Sequence, residues 1–307
     1  FLPHVRSIVA YNAESKLVEV IRPNGVLMGQ ITPLGGRISG ASTVVQFDAW
    51  NWEDAIYKAD EGIHINWPRL INRRGVINKN YQSEISKLSN YFANATSYLG
   101  GNKNTKDLQF EAINGLFSGE KTVYIHANAE KEIVDAISFF NKNKVPKMVL
   151  IGGLEAYKNT DLLNENNISV VLNNPHMRQY MEEQSYDFQY KMAQKLVNKG
   201  ITIAISGNDR MNSRNLPFYA GTFAAFGLDK EKAVELITLN AAKILGIDNN
   251  TGSLEVGKDA TLFISEGDAL DMKTNKLTDA FIQGRKISLE SHQTKLWKRY
   301  SNKYNSK

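Results

Sequence analysis

Residues 122–152 read TVYIHANAEKEIVDAISFFNKNKVPKMVLIG. The opening TVYIHA is almost wholly β-branched, aromatic or small, as a strand covered on both faces requires. Ile133, Ala136, Ile137 and Phe140 then recur at i, i+3, i+4 and i+7, the spacing of one apolar helix face. KMVLIG at 147–152 is a second nearly all-apolar run. A strand, a helix and a strand in so short a span form a βαβ unit, whose two strands lie parallel.

The same alternation extends both ways. Upstream lie the strand-like runs 25–32 (GVLMGQIT), 43–48 (TVVQFD) and 62–67 (GIHINW). Downstream lie 168–172 (ISVVL) and 202–206 (TIAIS), with helical segments at 153–163 and 187–197 and a stop at Gly200. Seven strand candidates at this rhythm predict an α/β fold, either a (β/α)8 barrel with one strand unaccounted for or an open doubly wound sheet. Residues 79–106 are rich in Asn and Ser and read as a surface excursion. Residues 229–246 read as a helical pair. Three regions are expected: a barrel over 1–251, strands of a small lobe over 252–289, and a basic amphipathic tail over 290–307 carrying Leu296, Trp297 and Tyr300.

Composition excludes several functions. The chain has 307 residues, 42% hydrophobic and 22% charged, which describes an ordinary globular protein. It has no cysteine, so a disulfide framework, an iron–sulfur cluster, a thiolate zinc site and a cysteine nucleophile are all ruled out. No apolar run is long enough to span a bilayer. Net charge is +5, with the basic residues scattered except in the tail, so no nucleic-acid partner is expected. The loop 34–40 (LGGRISG) is glycine-rich but lacks the Lys that a phosphate loop places after its gap. It reads instead as a barrel-top loop with Arg37 available to an anion. Trp50, Trp52 and Trp67 read as core and loop anchors more readily than as a stacking platform.

A family resemblance rests on residues near the end. TLNAAKILG at 238–246, followed by GSLEVGKDA at 252–260, resembles the paired C-terminal motifs of the amidohydrolase superfamily, in order and at the family's spacing. Ala241 stands where Pro is usual, and Thr261 where Asp is usual. TVYIHA resembles the fifth barrel strand of that family, and IAISGND at 203–209, with Arg214, Asn215 and Leu216, resembles its eighth strand and the turn that follows. The imidazolonepropionase-related branch is the most similar. The resemblance implies a distorted (β/α)8 barrel missing its first strand in this chain, with a partial β-sandwich lobe. It also implies hydrolysis of a non-peptide C–N bond, as in a cyclic amide, assisted by a divalent metal, zinc foremost.

The resemblance also assigns roles. His126 would be a metal ligand. The eighth-strand acid would be Asp209 if the loop shifts by one residue, or is replaced by Asn208, which cannot accept a proton. The family's sixth strand ends in a ligating His, where this chain has Gly152 and Gly153, with Glu155 the nearest donor. Arg37, Glu155 and Arg214 are the expected substrate contacts. The first strand of the family carries His-x-His, and none of the five histidines here forms that motif. The chain opens FLPH without Met, so it is expected to lack a first segment of about 80–100 residues, a βα unit and half a lobe. Two functional readings follow: a metal-dependent hydrolase of a small-molecule substrate, or a degenerate relative serving as a binding or structural subunit. That missing segment, another fragment of the same protein, a second copy or a larger complex is the expected partner. An exported or periplasmic location is favoured over the cytoplasm, since the absence of cysteine permits export.

Overall fold

The computed structural model describes residues 1–71, 75–101, 105–177, 184–207 and 212–305. One sheet carries β1 (Met28–Ile31), β2 (Ile38–Gln46), β3 (Ile56–Asn66), β4 (Thr122–Ala127), β5 (Met148–Gly152), β6 (Ser169–Leu172) and β7 (Ile203–Ile205), side by side in chain order. It is an α/β sheet curled into part of a TIM-like barrel. β3 through β7 pair in parallel, whereas β1, β2 and β3 pair antiparallel. The parallel βα series therefore begins at the third strand, although all seven runs are strands of the one sheet. The reason is connection length. Residues 32–37 and 47–55 are too few to carry a crossover, which needs a dozen residues or more.

Helices flank the sheet, and those contributing to the main core cover its outer face. The helices are α1 (Lys16–Ile21), α2 (Tyr81–Gly100), α3 (Leu108–Ser118), α4 (Glu130–Lys142), α5 (Thr160–Glu165), α6 (Met192–Val197), α7 (Leu216–Ala225), α8 (Lys230–Glu235), α9 (Leu239–Leu245) and α10 (His292–Asn305). The main core joins Ile63, Ile65, Val123, Ile125 and Val170 of the strands to Phe92, Leu116, Ile137, Phe140 and Phe223 of the helices. Residues 79–106, expected as a surface excursion, instead contain α2, the longest helix of the described residues. Its Tyr81, Leu88, Phe92 and Ala95 are buried on one face, and the Asn and Ser residues that obscured the period lie between them.

The inner face is closed differently. Tyr124, Val149 and Ala204 point inward and meet Ile244 of α9, so the TLNAAKILG motif plugs the open side of the sheet. Lys58 ties this plug to β3. Its Nζ donates to the carbonyls of Leu245 and Gly246 at 2.9 and 3.1 Å, satisfying the end of α9 where a cation is favoured.

A second sheet holds β8 (Leu262–Ser265), β9 (Leu277–Ile282) and β10 (Arg285–Lys286), paired antiparallel. Its core of Ala280, Ile282 and Ile287 also takes in Leu27, just ahead of β1, so both ends of the chain build this lobe. In α10, Trp297, Tyr300 and Tyr304 are exposed.

Gly62 is required by the inner face. A Cβ there would lie 2.3 Å from the Tyr124 ring and 2.8 Å from the Thr122 carbonyl oxygen, and the latter is backbone that cannot step aside. Gly62→Ala is expected to destabilise the fold by about 1–3 kcal/mol, the cost of overpacking, read as a lowered urea midpoint.

Candidate functional site

The strands β3 and β4 run parallel with His64 opposite Tyr124 and Asn66 opposite His126. Alternation then sends Gly62, His64, Tyr124 and His126 to the inner face, while Ile63, Ile65, Val123 and Ile125 face the helices. His64 Nδ1 lies 2.9 Å from His126 Nε2, a hydrogen bond between the two imidazoles. This pair sits toward the C-terminal ends of the strands, the end at which barrel active sites lie.

The pair is electrically neutral at neutral pH. Burial, with His126 alongside, holds His64 well below the ordinary histidine range. Burial lowers His126 to about 4. A neutral imidazole carries one lone pair, and the hydrogen bond between the rings engages one of the two, leaving the other available to a Lewis acid. His64 is 1% exposed, and its Nε2 has no hydrogen-bond partner among the described residues. An unsatisfied buried nitrogen is costly, so a partner at this position would be favourable.

Below the pair lies a buried polar cluster. The His64 ring stacks on Tyr124, with centroids 4.7 Å apart and planes 12° from parallel. The Tyr124 hydroxyl donates to Glu61 Oε2 at 2.8 Å. Ser42 Oγ and Gln30 Nε2 donate to Glu61 Oε1 at 2.5 and 2.6 Å. Burial raises the Glu61 carboxyl, and the donors from Ser42, Gln30 and Tyr124 work against that rise.

The other residues singled out in the sequence lie elsewhere or are engaged. Asn208 and Asp209 fall outside the described residues. Arg37 donates to the Asn66 carbonyl at 2.6 Å and to Glu84 Oε2 at 2.7 Å, so its charge faces a carboxylate of α2. Glu155 is 4% exposed; its carboxylate accepts from the Glu130 N–H at 2.7 Å and from Lys158 Nζ at 2.6 Å, anchoring the start of α4. Arg214 is exposed in a 3-10 turn, where its carbonyl accepts from Asn24. Trp67 is a core anchor, its Nε1 donating to the Tyr81 hydroxyl at 3.1 Å, and Trp50 is 92% exposed.

The end of β5 explains why no histidine stands there. Gly152 and Gly153 both adopt positive φ, 95° and 59°, as the chain turns back on β4. There the Gly153 N–H donates to the Ala127 carbonyl and the Glu155 N–H to the Asn128 carbonyl, both at 2.9 Å. A Cβ on Gly152 would meet Asn128 Oδ1 at 2.5 Å. A side chain at this corner is sterically disfavoured and conformationally strained. Beside it a narrow cleft is lined by Gly152, Leu172, Asn173, Gln189, Met192 and Phe223.

His64 was not singled out as a site residue from the sequence. The signal was present: GIHINW and TVYIHA place their histidines in the same phase of alternation. Only the adjacency of the two strands turns that phase into a contact.

The residues fit a divalent cation in part. Two neutral imidazoles are suitable ligands, although the proton of the hydrogen bond between them occupies one of the two facing nitrogens and would have to move before both could bind one metal. Among the described residues no group of three or more His, Asp or Glu side chains is placed to hold a metal.

A mixed αβ half-barrel whose parallel strands carry an inward-facing histidine pair has TIM-like architecture. The family profile described as "Amidohydrolase family" matches residues 120–287, more than half of the chain, and the chain belongs to that family. Imidazolonepropionase of Picrophilus torridus is 36% identical over 87 residues, covering 27% of this chain and 22% of that protein. Imidazolonepropionase of Shewanella frigidimarina is 60% identical over 35 residues, covering 11% of this chain and 8% of that protein. These matches span less than a quarter of the length of either relative. An amidohydrolase structure from Thermotoga maritima MSB8 superposes with a TM-score of 0.81 at 24% identity, covering 93% of this chain and 78% of that one, and shows the same fold. No helix among the described residues is long and apolar enough to cross a membrane.

The neutral histidines carry a pH dependence whose sign is determined. In the unfolded chain His126 takes its proton near 6.5, and in the fold near 4. Between these values the unfolded state binds the additional proton, so this contribution is complete above about pH 6.5 and is lost as pH falls toward 4. The difference in urea midpoint between wild type and His126→Gln is expected to shrink on going from pH 7 to pH 4.5.

Proposed function

We propose that this chain carries part of the catalytic half of a metal-dependent hydrolase acting on a non-peptide C–N bond, with a cyclic amide-like small molecule as substrate. The observation that supports this most directly is the His64–His126 pair. Two buried imidazoles, both held neutral and one with an unsatisfied nitrogen, occupy the inner face at the strand ends of an amidohydrolase-family barrel. The short matches to imidazolonepropionases support a cyclic amide-like substrate.

His126 and His64 would hold the cation, zinc foremost, because both are deprotonated at neutral pH and need no proton release on binding. A divalent cation so held supplies Lewis acidity toward a carbonyl and toward water. The work of this chain's own groups is to exclude bulk water, which the sheet and α9 do from below, and to move a proton. By the family resemblance Asp209 is the carboxylate for that step, one residue beyond Asn208 in the sequence. Arg214, exposed in the following turn, is free to meet a substrate anion.

A second reading has its own support. The glycine corner at 152–153 closes the position where a further histidine would stand, and the described residues bring only two candidate ligands together. A barrel that keeps the fold without the metal would serve as a binding or structural subunit.

Metal stoichiometry separates the two readings. Native, unchelated protein is expected to contain about one zinc or other divalent ion per chain by elemental analysis, and His126→Ala should reduce this to near zero. Protein purified without chelator that holds no divalent ion, and takes none up on zinc dialysis, would leave the subunit reading standing alone.

A further inference from the structure

We propose that Glu61 is a positioning residue for the histidine pair, acting through Tyr124. The inference rests on the metal-site reading for its functional meaning, while its structural content stands on contacts already described.

The backbone is distorted to bring Glu61 inward. Pairing of β2 with β3 jumps from Ser42 opposite Gly62 to Val44 opposite Lys58, so Ala59, Asp60 and Glu61 all lie opposite Thr43. Asp60 at the centre has φ of 47°, and its N–H is held by Thr43 Oγ1 at 3.2 Å. Regular alternation from Gly62 would send Glu61 outward among the helices with Ile63. The bulge re-aims it, which is the recurrent use of bulges near active sites. Left-handed backbone at a non-glycine residue and a buried carboxylate are both unfavourable on their own.

The carboxylate is then satisfied from three neighbouring strands. Gln30 of β1, Ser42 of β2 and Tyr124 of β4 all donate to it. Of these contacts, only that with Tyr124 leads toward the histidines. The Tyr124 ring lies across Gly62, in space that a Cβ would fill, with its hydroxyl pinned at Glu61. The His64 ring stacks flat on that ring. His64 is enclosed on the inner face; its Nδ1 bonds His126, and its Nε2 has no hydrogen-bond partner among the described residues. The plane of the His64 ring, and with it the direction of the bond to His126 Nε2, follows the Tyr124 ring, which packs against Val149, Ala204 and Ile244 and is fixed at its hydroxyl by Glu61. Outer contacts of this kind orient ligands, and losing one commonly weakens metal binding about 10–100-fold.

Tyr124→Phe tests this with the ring retained and only the hydroxyl removed; Glu61→Gln is its companion. In the full chain stripped of metal, with ¹⁵N-labelled histidine, wild type is expected to show a through-hydrogen-bond N–N coupling between His64 and His126. Both variants should lose or strongly reduce it while keeping wild-type circular dichroism. Titrated with zinc alone, Tyr124→Phe should bind at least 10-fold more weakly than wild type. A lowered melting temperature with the coupling intact and zinc affinity within twofold of wild type would overturn the proposal, assigning Glu61 a purely structural role. If Glu61→Gln fails to fold, Tyr124→Phe decides the matter. If wild type binds no zinc, the metal reading falls, but the coupling measurement still supports or overturns the positioning of His64 by Glu61 and Tyr124.

Discussion

The register between β3 and β4 is the constraint on which the site depends. Side chains alternate along a strand with a period of two, so a slip of one residue in either strand would place His64 and His126 on opposite faces. The register is well specified because the alternate positions are filled by Ile63, Ile65, Val123 and Ile125, all essentially buried against helices. Burial of these four on the outer face is what holds the two histidines on the inner one. Gly62 makes the same register sterically possible, since no other residue leaves room for the Tyr124 ring.

Polar groups on the inner face are then confined to an environment that penalises charge. The two imidazoles respond by remaining neutral, and Glu61 responds by collecting three donors. A fully connected cluster of this sort rigidifies its surroundings, whereas a partly satisfied one is a liability. Within this cluster His64 Nε2 is a buried nitrogen with no hydrogen-bond partner among the described residues. The lumen is apolar where α9 closes it and polar where the histidines face it.

Family membership and site completeness are separate matters in this chain. The motifs that define the family, including the α9 plug and the turn that follows, are folding elements: Ile244 and Leu245 pack on the sheet, and Lys58 ties the helix end to β3. The corner at Gly152 and Gly153 is also a folding element, a tight return toward β4 that excludes a side chain. A glycine in place of a ligand therefore has a local structural reason, independent of whether the barrel is catalytic.

Much of the fold was legible in the residues themselves. The seven strand runs, the helix at 133–140 and the α8–α9 pair follow from period and composition, because burial selects apolar residues at spacings of 2 and 3.6. Two features were not. The antiparallel start of the sheet depends on loop length rather than on the strands, which read alike in either direction. The helix α2 was hidden because its Asn and Ser residues dominate the composition, while Tyr81, Leu88, Phe92 and Ala95 carry its period. For the site, His126 could be marked from the end of its strand. His64, Tyr124 and Glu61 could not, since each becomes part of the site only through a neighbour on another strand. Sequence by itself determined which residues must be buried, and therefore which faces exist. Tertiary structure alone decided which faces meet: pairing register and one bulge are long-range facts, set by the packing of β2, β3 and β4 together rather than by any of them alone.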